Sequence, residues 1–145
     1  MDFKNVLKLV AAMNREGVEY ITFGAVALNL HGIVRATTDA DFFIKPSVDN
    51  IERLKRALRS IWDDPHIDEI SSEDLLGDYP SVLYGPPEDT FSIDFHTRLG
   101  ELYSYYNLPW TVVEYEGVPV RVVTADKADA RLKHKPDSGE ESWAS

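Results

Sequence analysis

Cysteine is absent from this 145-residue chain, which removes disulfides, thiolate zinc sites and a cysteine nucleophile together. Basic residues are scarce beside acidic ones. Fifteen Lys and Arg face twenty-five Asp and Glu, for a formal net charge of −10 and a pI near 4.7. So acidic a surface repels a phosphate backbone and argues against a non-specific DNA or RNA coat, while leaving room for a small anion held by a local cation or a metal. Long apolar runs are also missing: none approaches the ~20 residues of a membrane span. Met1-Asp2-Phe3-Lys4 has no signal-peptide character. The expectation is a cytoplasmic protein without membrane contact. What is present suits a packed core, with 43% apolar and 11% aromatic residues, and the length suits one domain.

Along the chain, Phe3, Val6, Leu7, Val10 and Met13 recur at helical spacing before Gly17. Residues 18–23 read as a strand running into Gly24, and residues 25–30 as a short apolar helix ended by His31-Gly32. A second strand is expected over 38–45, up to Pro46. Ser47 then caps a helix with Ile51, Leu54, Leu58 and Ile61 on one face and Glu52, Arg53, Lys55, Arg56 and Arg59 on the other. Residues 63–79 are acidic and irregular, with one helical turn after Ser71. Strands follow at 81–84 and 90–97, then a short helix at 99–106, then a hairpin of 111–115 with 118–123 around Glu116-Gly117. This order predicts an α/β (α+β) domain over residues 1–124, with a mixed twisted sheet flanked by helices. Residues 125–145 form a polar tail, weakly helical or disordered.

The chemistry concentrates between Gly24 and Asp41. Asp39 and Asp41 stand two apart on a strand, so both carboxylates leave one face. Either this is a solvated strand end, or a divalent cation between them relieves the repulsion of two close like charges. A strand that stops at Gly24 and turns directly into a helix offers free backbone N–H groups to a phosphate, and glycine permits close approach. Since one short helix links this turn to the aspartates, the two strands can pair and bring both features to one end of the sheet.

A third carboxylate, Asp94, lies in Phe91-Ser92-Ile93-Asp94-Phe95-His96, where apolar and polar residues alternate. Ser92 reads as part of a wet outer face. Asp94 reads as a further metal-directed oxygen ligand. His96 shares that face and either orients a group, binds phosphate or does neither.

These residues carry a resemblance. Gly24-Ala25-x-Ala27 followed by His31-Gly32, Arg35-x-Thr37 and Asp39-x-Asp41, then a distant strand Asp94, resembles the nucleotidyltransferase superfamily with its polymerase-β-like fold. The nearest likeness is to small bacterial members, the minimal and abortive-infection toxin-type enzymes, over residues 6–123. The resemblance implies phosphate contact at Gly24 and Ala25, and metal ligation and catalysis by Asp39, Asp41 and Asp94, with Mg²⁺ or Mn²⁺ as cofactor. It implies an NTP as substrate, an acceptor hydroxyl on a small molecule, a tRNA end or a protein, and release of pyrophosphate. Arg35 either faces the triphosphate or bridges to Asp39 or Asp41. Thr37 begins the strand, with its hydroxyl within reach of the site.

Two positions depart from the family pattern. Ala25 stands where Gly-Gly or Gly-Ser is common, and residues 125–134, followed by a polar tail, match poorly the final helix with Leu, Lys, Arg and Asp that relatives usually carry. Both leave open a non-catalytic, nucleotide-binding member of the fold, acting as a sensor or as one half of a toxin–antitoxin pair with a partner protein. Tyr103, Tyr105, Tyr106 and Trp110 either stack on a base or belong to the core.

Overall fold

A computed structural model describes residues 3–32, 39–87, 91–100 and 103–124. Arg35, Thr37 and the 125–145 tail, together with the expectations attached to them, lie outside the described residues. The elements run α1 (Phe3–Glu16), β1 (Tyr20–Phe23), α2 (Gly24–Leu30), β2 (Asp39–Ile44), α3 (Val48–Arg59), a 3-10 turn (Pro65–Glu69) and α4 (Ser72–Leu76). They continue with β3 (Ser81–Tyr84), β4 (Ser92–His96), β5 (Arg98–Leu99), β6 (Tyr103–Ser104), a 3-10 turn (Tyr105–Asn107), β7 (Trp110–Tyr115) and β8 (Val118–Val123).

Six strands form one sheet in the order β3-β4-β2-β1-β8-β7. It is mixed: β1 is antiparallel to β2 but parallel to β8, and β2 is parallel to β4. A parallel pair needs a crossover connection, and α3, the 3-10 turn and α4 carry the chain from β2 to the edge strand β3, which returns antiparallel into β4.

Strand alternation divides the core in two. Ala40, Phe42 and Ile44 of β2, with Ile93 and Phe95 of β4, pack against α1 and α3 through Leu9, Val10, Met13, Ile51, Leu54 and Leu58. Phe43 of β2 turns to the opposite face with Ile21 and Phe23 of β1, where Ala27 and Leu28 of α2 cover it. Fully burying a Leu, Ile or Phe is worth roughly 1.5–3 kcal/mol each, so the helical face supplies most of the stability. The thinner α2 face carries the polar residues of the sheet.

Polar groups pin the layers. The Ser47 hydroxyl accepts from Asn50 N at 3.1 Å, capping α3. The buried Asn50 side chain accepts from Glu19 N at 2.8 Å and donates to the Glu19 and Lys45 carbonyls at 3.0 Å. It thereby joins the entry to β1 with the exit of β2. At the other end of α2, His31 Nε2 meets the Val123 carbonyl at 2.8 Å, anchoring the helix to β8.

The helix expected over 99–106 is not found. Arg98–Leu99 pairs antiparallel with Tyr103–Ser104, and a 3-10 turn follows at Tyr105–Asn107. Gly100 sits at φ +60, outside helical backbone. The Asn107 side chain closes the later turn by accepting from Ser104 N at 2.8 Å. The acidic 63–79 stretch is more ordered than its composition indicates, since it holds the 3-10 turn as well as α4. Asp64 and Ser71 cap these two by accepting from His66 N and Asp74 N.

Candidate active site

Strand register builds the site. Phe23, the last residue of β1, pairs with Asp41, so Gly24 follows directly beside that aspartate. On the other side of β2, Asp41 pairs with Asp94, Asp39 with Ser92, and Phe43 with His96. Because the side-chain period is two, Asp39, Asp41, Ser92, Asp94 and His96 all project from the α2 face.

Asp41 is wholly buried, Asp94 partly so, and His96 is 6% exposed. One ligand atom from each of Asp41, Asp94 and His96 lies within 4.8 Å of the other two. His96 Nε2 stands 3.7 Å from Asp94 Oδ2, too far for a hydrogen bond. Among the described residues neither ring nitrogen of His96 has a hydrogen-bond partner. The ring is held by carbon contacts instead, edge-on to Phe23 at 5.3 Å and tilted against Phe43 at 6.0 Å. Two carboxylates in their charged forms at this spacing repel by on the order of 3 kcal/mol at an effective dielectric constant of 20. A divalent cation between them reverses the sign of that energy.

Gly24 is required here for two reasons. Its φ of +73 is a conformation L side chains rarely adopt, and a Cβ there would lie 2.5 Å from Asp41 Oδ2 and 3.2 Å from its Cγ. The open side of this glycine is therefore filled by the Asp41 carboxylate, a contact that only the strand register creates. Ala25 is buried, and Phe23 at the helix N-cap provides no side-chain hydrogen bond. Gly24 is buried as well, so the first turn of α2 lies covered and without a side-chain cap.

Asp39 stands one pair further along the same face and accepts a hydrogen bond from the Ser92 hydroxyl. It lies outside the three-residue group. The structure thus brings Asp41 and Asp94 together, adds His96 to them, and sets Asp39 beside them. Ser92, which alternation assigns to a wet outer face, is engaged with Asp39. The signal for both Ser92 and His96 was that same alternation along 91–96, which puts them on the Asp94 face.

The aromatic group separates. Tyr103 and Tyr105 pack at the margin of the α2 core, whereas Tyr106 is largely exposed. Trp110 lies under the Arg121 guanidinium, 4.7 Å from its ring centroid.

No protein-family model matches the sequence, and no curated protein matches it. Among solved structures, the chain resembles TM1012 of Thermotoga maritima, described as a candidate nucleotidyltransferase. The TM-score is 0.59 at 13% identity, over 90% of this chain and 83% of that one. ANT(2″)-Ia, solved with adenylyl-2″-tobramycin, matches at a TM-score of 0.48 and 16% identity, over 97% of this chain and 84% of that one. The mixed sheet with its flanking helices is the nucleotidyltransferase fold. No described helix is long and apolar enough to cross a membrane.

Proposed function

We propose that this protein is a metal-dependent nucleotidyltransferase, moving an NMP group from an NTP to an acceptor hydroxyl. The observation that carries the reading is the convergence of Asp41 and Asp94 on adjacent strands, against the glycine that opens α2. The donor set fits a divalent cation: two carboxylates from different strands, one of them wholly buried, share a face with a third at Asp39. Asp41 and Asp94 would hold the cation, with Asp39 as the remaining carboxylate of the trio. When bound, Mg²⁺ or Mn²⁺ supplies charge neutralisation for the phosphates and the leaving pyrophosphate.

The protein's own part is positioning. The N–H groups at Gly24 and Ala25, without a side-chain cap, seat phosphate oxygens. The acceptor oxygen attacks the α-phosphorus, the bond to the β-phosphate oxygen breaks, and pyrophosphate leaves. Asp94, partly open to solvent, takes the acceptor proton. Orientation and electrostatics supply most of the rate. The acceptor is a small molecule, a tRNA end or a protein.

Calorimetry with ATP and Mg²⁺ or Mn²⁺, followed by a pyrophosphate assay with candidate acceptors, tests the reading. Cation-dependent nucleotide binding and pyrophosphate release that Asp41→Asn abolishes are expected. Nucleotide turnover unchanged in that variant overturns it. A second reading, a sensor or toxin–antitoxin component that binds nucleotide without turnover, is favoured by Ala25, whose methyl offers phosphate no hydroxyl. Binding without pyrophosphate is its signature.

A further inference from the structure

We infer that His96 completes the cation site as a nitrogen ligand, standing third to Asp41 and Asp94 in the place expected for Asp39, and that the site therefore ranks Zn²⁺ and Mn²⁺ above Mg²⁺. This rests on the cation site of the proposed function and assigns its third donor.

Three observations lead to it. Asp41, Asp94 and His96 each place a donor atom within 4.8 Å of the others, a spacing that one ion bridges. The His96 side chain is 8% exposed, and among the described residues neither of its nitrogens has a hydrogen-bond partner. A buried imidazole normally finds at least one, since an unsatisfied polar group costs about 1–3 kcal/mol. The half-buried His31, by contrast, reaches the Val123 carbonyl at 2.8 Å. Finally, Asp39 lies outside the group of donor atoms within 4.8 Å of one another, which leaves His96 the nearer third donor to the pair.

The consequence concerns selectivity. Mg²⁺ takes oxygen ligands almost exclusively and resists dehydration, whereas imidazole suits the later first-row ions. Replacing one oxygen by nitrogen thus shifts preference away from Mg²⁺ while Mn²⁺, which accepts both donor types, stays competent.

The test is pulsed electron paramagnetic resonance on full-length protein loaded with Mn²⁺, unlabelled and with ¹⁵N-histidine, beside His96→Gln. Expected are an imidazole nitrogen coupling in the unlabelled protein, its replacement by a ¹⁵N coupling on labelling, and its loss in His96→Gln. The ratio of Mn²⁺ to Mg²⁺ affinity should fall about tenfold or more in that variant, equivalent to about 1.4 kcal/mol. Bound Mn²⁺ with no histidine nitrogen coupling overturns the inference and leaves the carboxylate site standing. Absence of any Mn²⁺ binding overturns both. Should His96→Gln fail to fold, His31→Gln, His66→Gln and His134→Gln decide: the coupling surviving in all three is expected, and its loss in any of them overturns the inference.

Discussion

Replacing Gly24 by alanine tests whether the Asp41 carboxylate is seated against this backbone. Two costs arise. Alanine at φ +73 costs about 1–2 kcal/mol in any protein. Its methyl carbon would also meet Asp41 Oδ2 at 2.5 Å, and overpacking of this kind costs about 1–3 kcal/mol. The expected loss is about 2–5 kcal/mol, the sum of the two. Gly117→Ala is the matched control, because Gly117 has φ +82 and a methyl group there would meet nothing within 4 Å. It should lose only about 1–2 kcal/mol.

Urea unfolding followed by tryptophan fluorescence separates the two variants. The second check is a double-mutant cycle: in an Asp41→Ala background the overlap is gone, so Gly24→Ala should cost about as little as Gly117→Ala. Mn²⁺ affinity should fall about tenfold or more in Gly24→Ala, a change of about 1.4 kcal/mol, and stay unchanged in Gly117→Ala. A Gly24→Ala loss no larger than the control, or one that persists without the Asp41 carboxylate, refutes the reasoning.

Asp41→Asn removes one of two adjacent negative charges, so in chelator the variant should melt no lower than wild type, while the rise in melting temperature on adding Mn²⁺ disappears. Asn50→Ala breaks three side-chain hydrogen bonds at a buried position and should cost about 3 kcal/mol in urea unfolding. The Tyr84 hydroxyl donates to Asp64 Oδ2 at 2.8 Å, and burial followed by that carboxylate pushes its pKa well above the ordinary 10. The native state therefore favours the neutral phenol. This contribution is intact below pH 10 and is lost as the pH rises from the unfolded value toward the folded one. Stability should fall more steeply above about pH 10 in wild type than in Tyr84→Phe. Alkaline absorbance titration should show Tyr84 ionising late, along with Tyr20, whose pKa burial also raises.

How much of this was legible in the sequence depends on the distance over which each feature is decided. The helices at Phe3–Glu16 and Val48–Arg59 are written in apolar spacing and, for the second, in the Ser47 cap. The pair Asp39 and Asp41 on one face of a strand follows from the period of two. Residues 99–106 misled because Leu99, Tyr103 and Tyr106 sit at helical spacing, while the backbone at Gly100 and the Asn107 side-chain contact decide otherwise. Gly24 was recognisable as a turn, but not as the neighbour of Asp41. That role needs the Phe23–Asp41 register. The approach of His96 to Asp41 and Asp94 was equally hidden, since it depends on the pairing of β2 with β4.

The crossover between β2 and β4 has a bearing on assembly. Asp39 and Ser92 lie 53 positions apart yet touch, and Asp41 reaches Asp94 by the same pairing. Closing so long an excursion carries an entropic cost that must be met before the pairing is gained. Chains arrested before that event have the two acids far apart and no cradle to offer an ion. On the proposed function, a cation seated there would act as a removable clasp on the finished molecule, adding about 2.7 kcal/mol at a hundred times its dissociation constant and releasing that hold when a chelator takes it away.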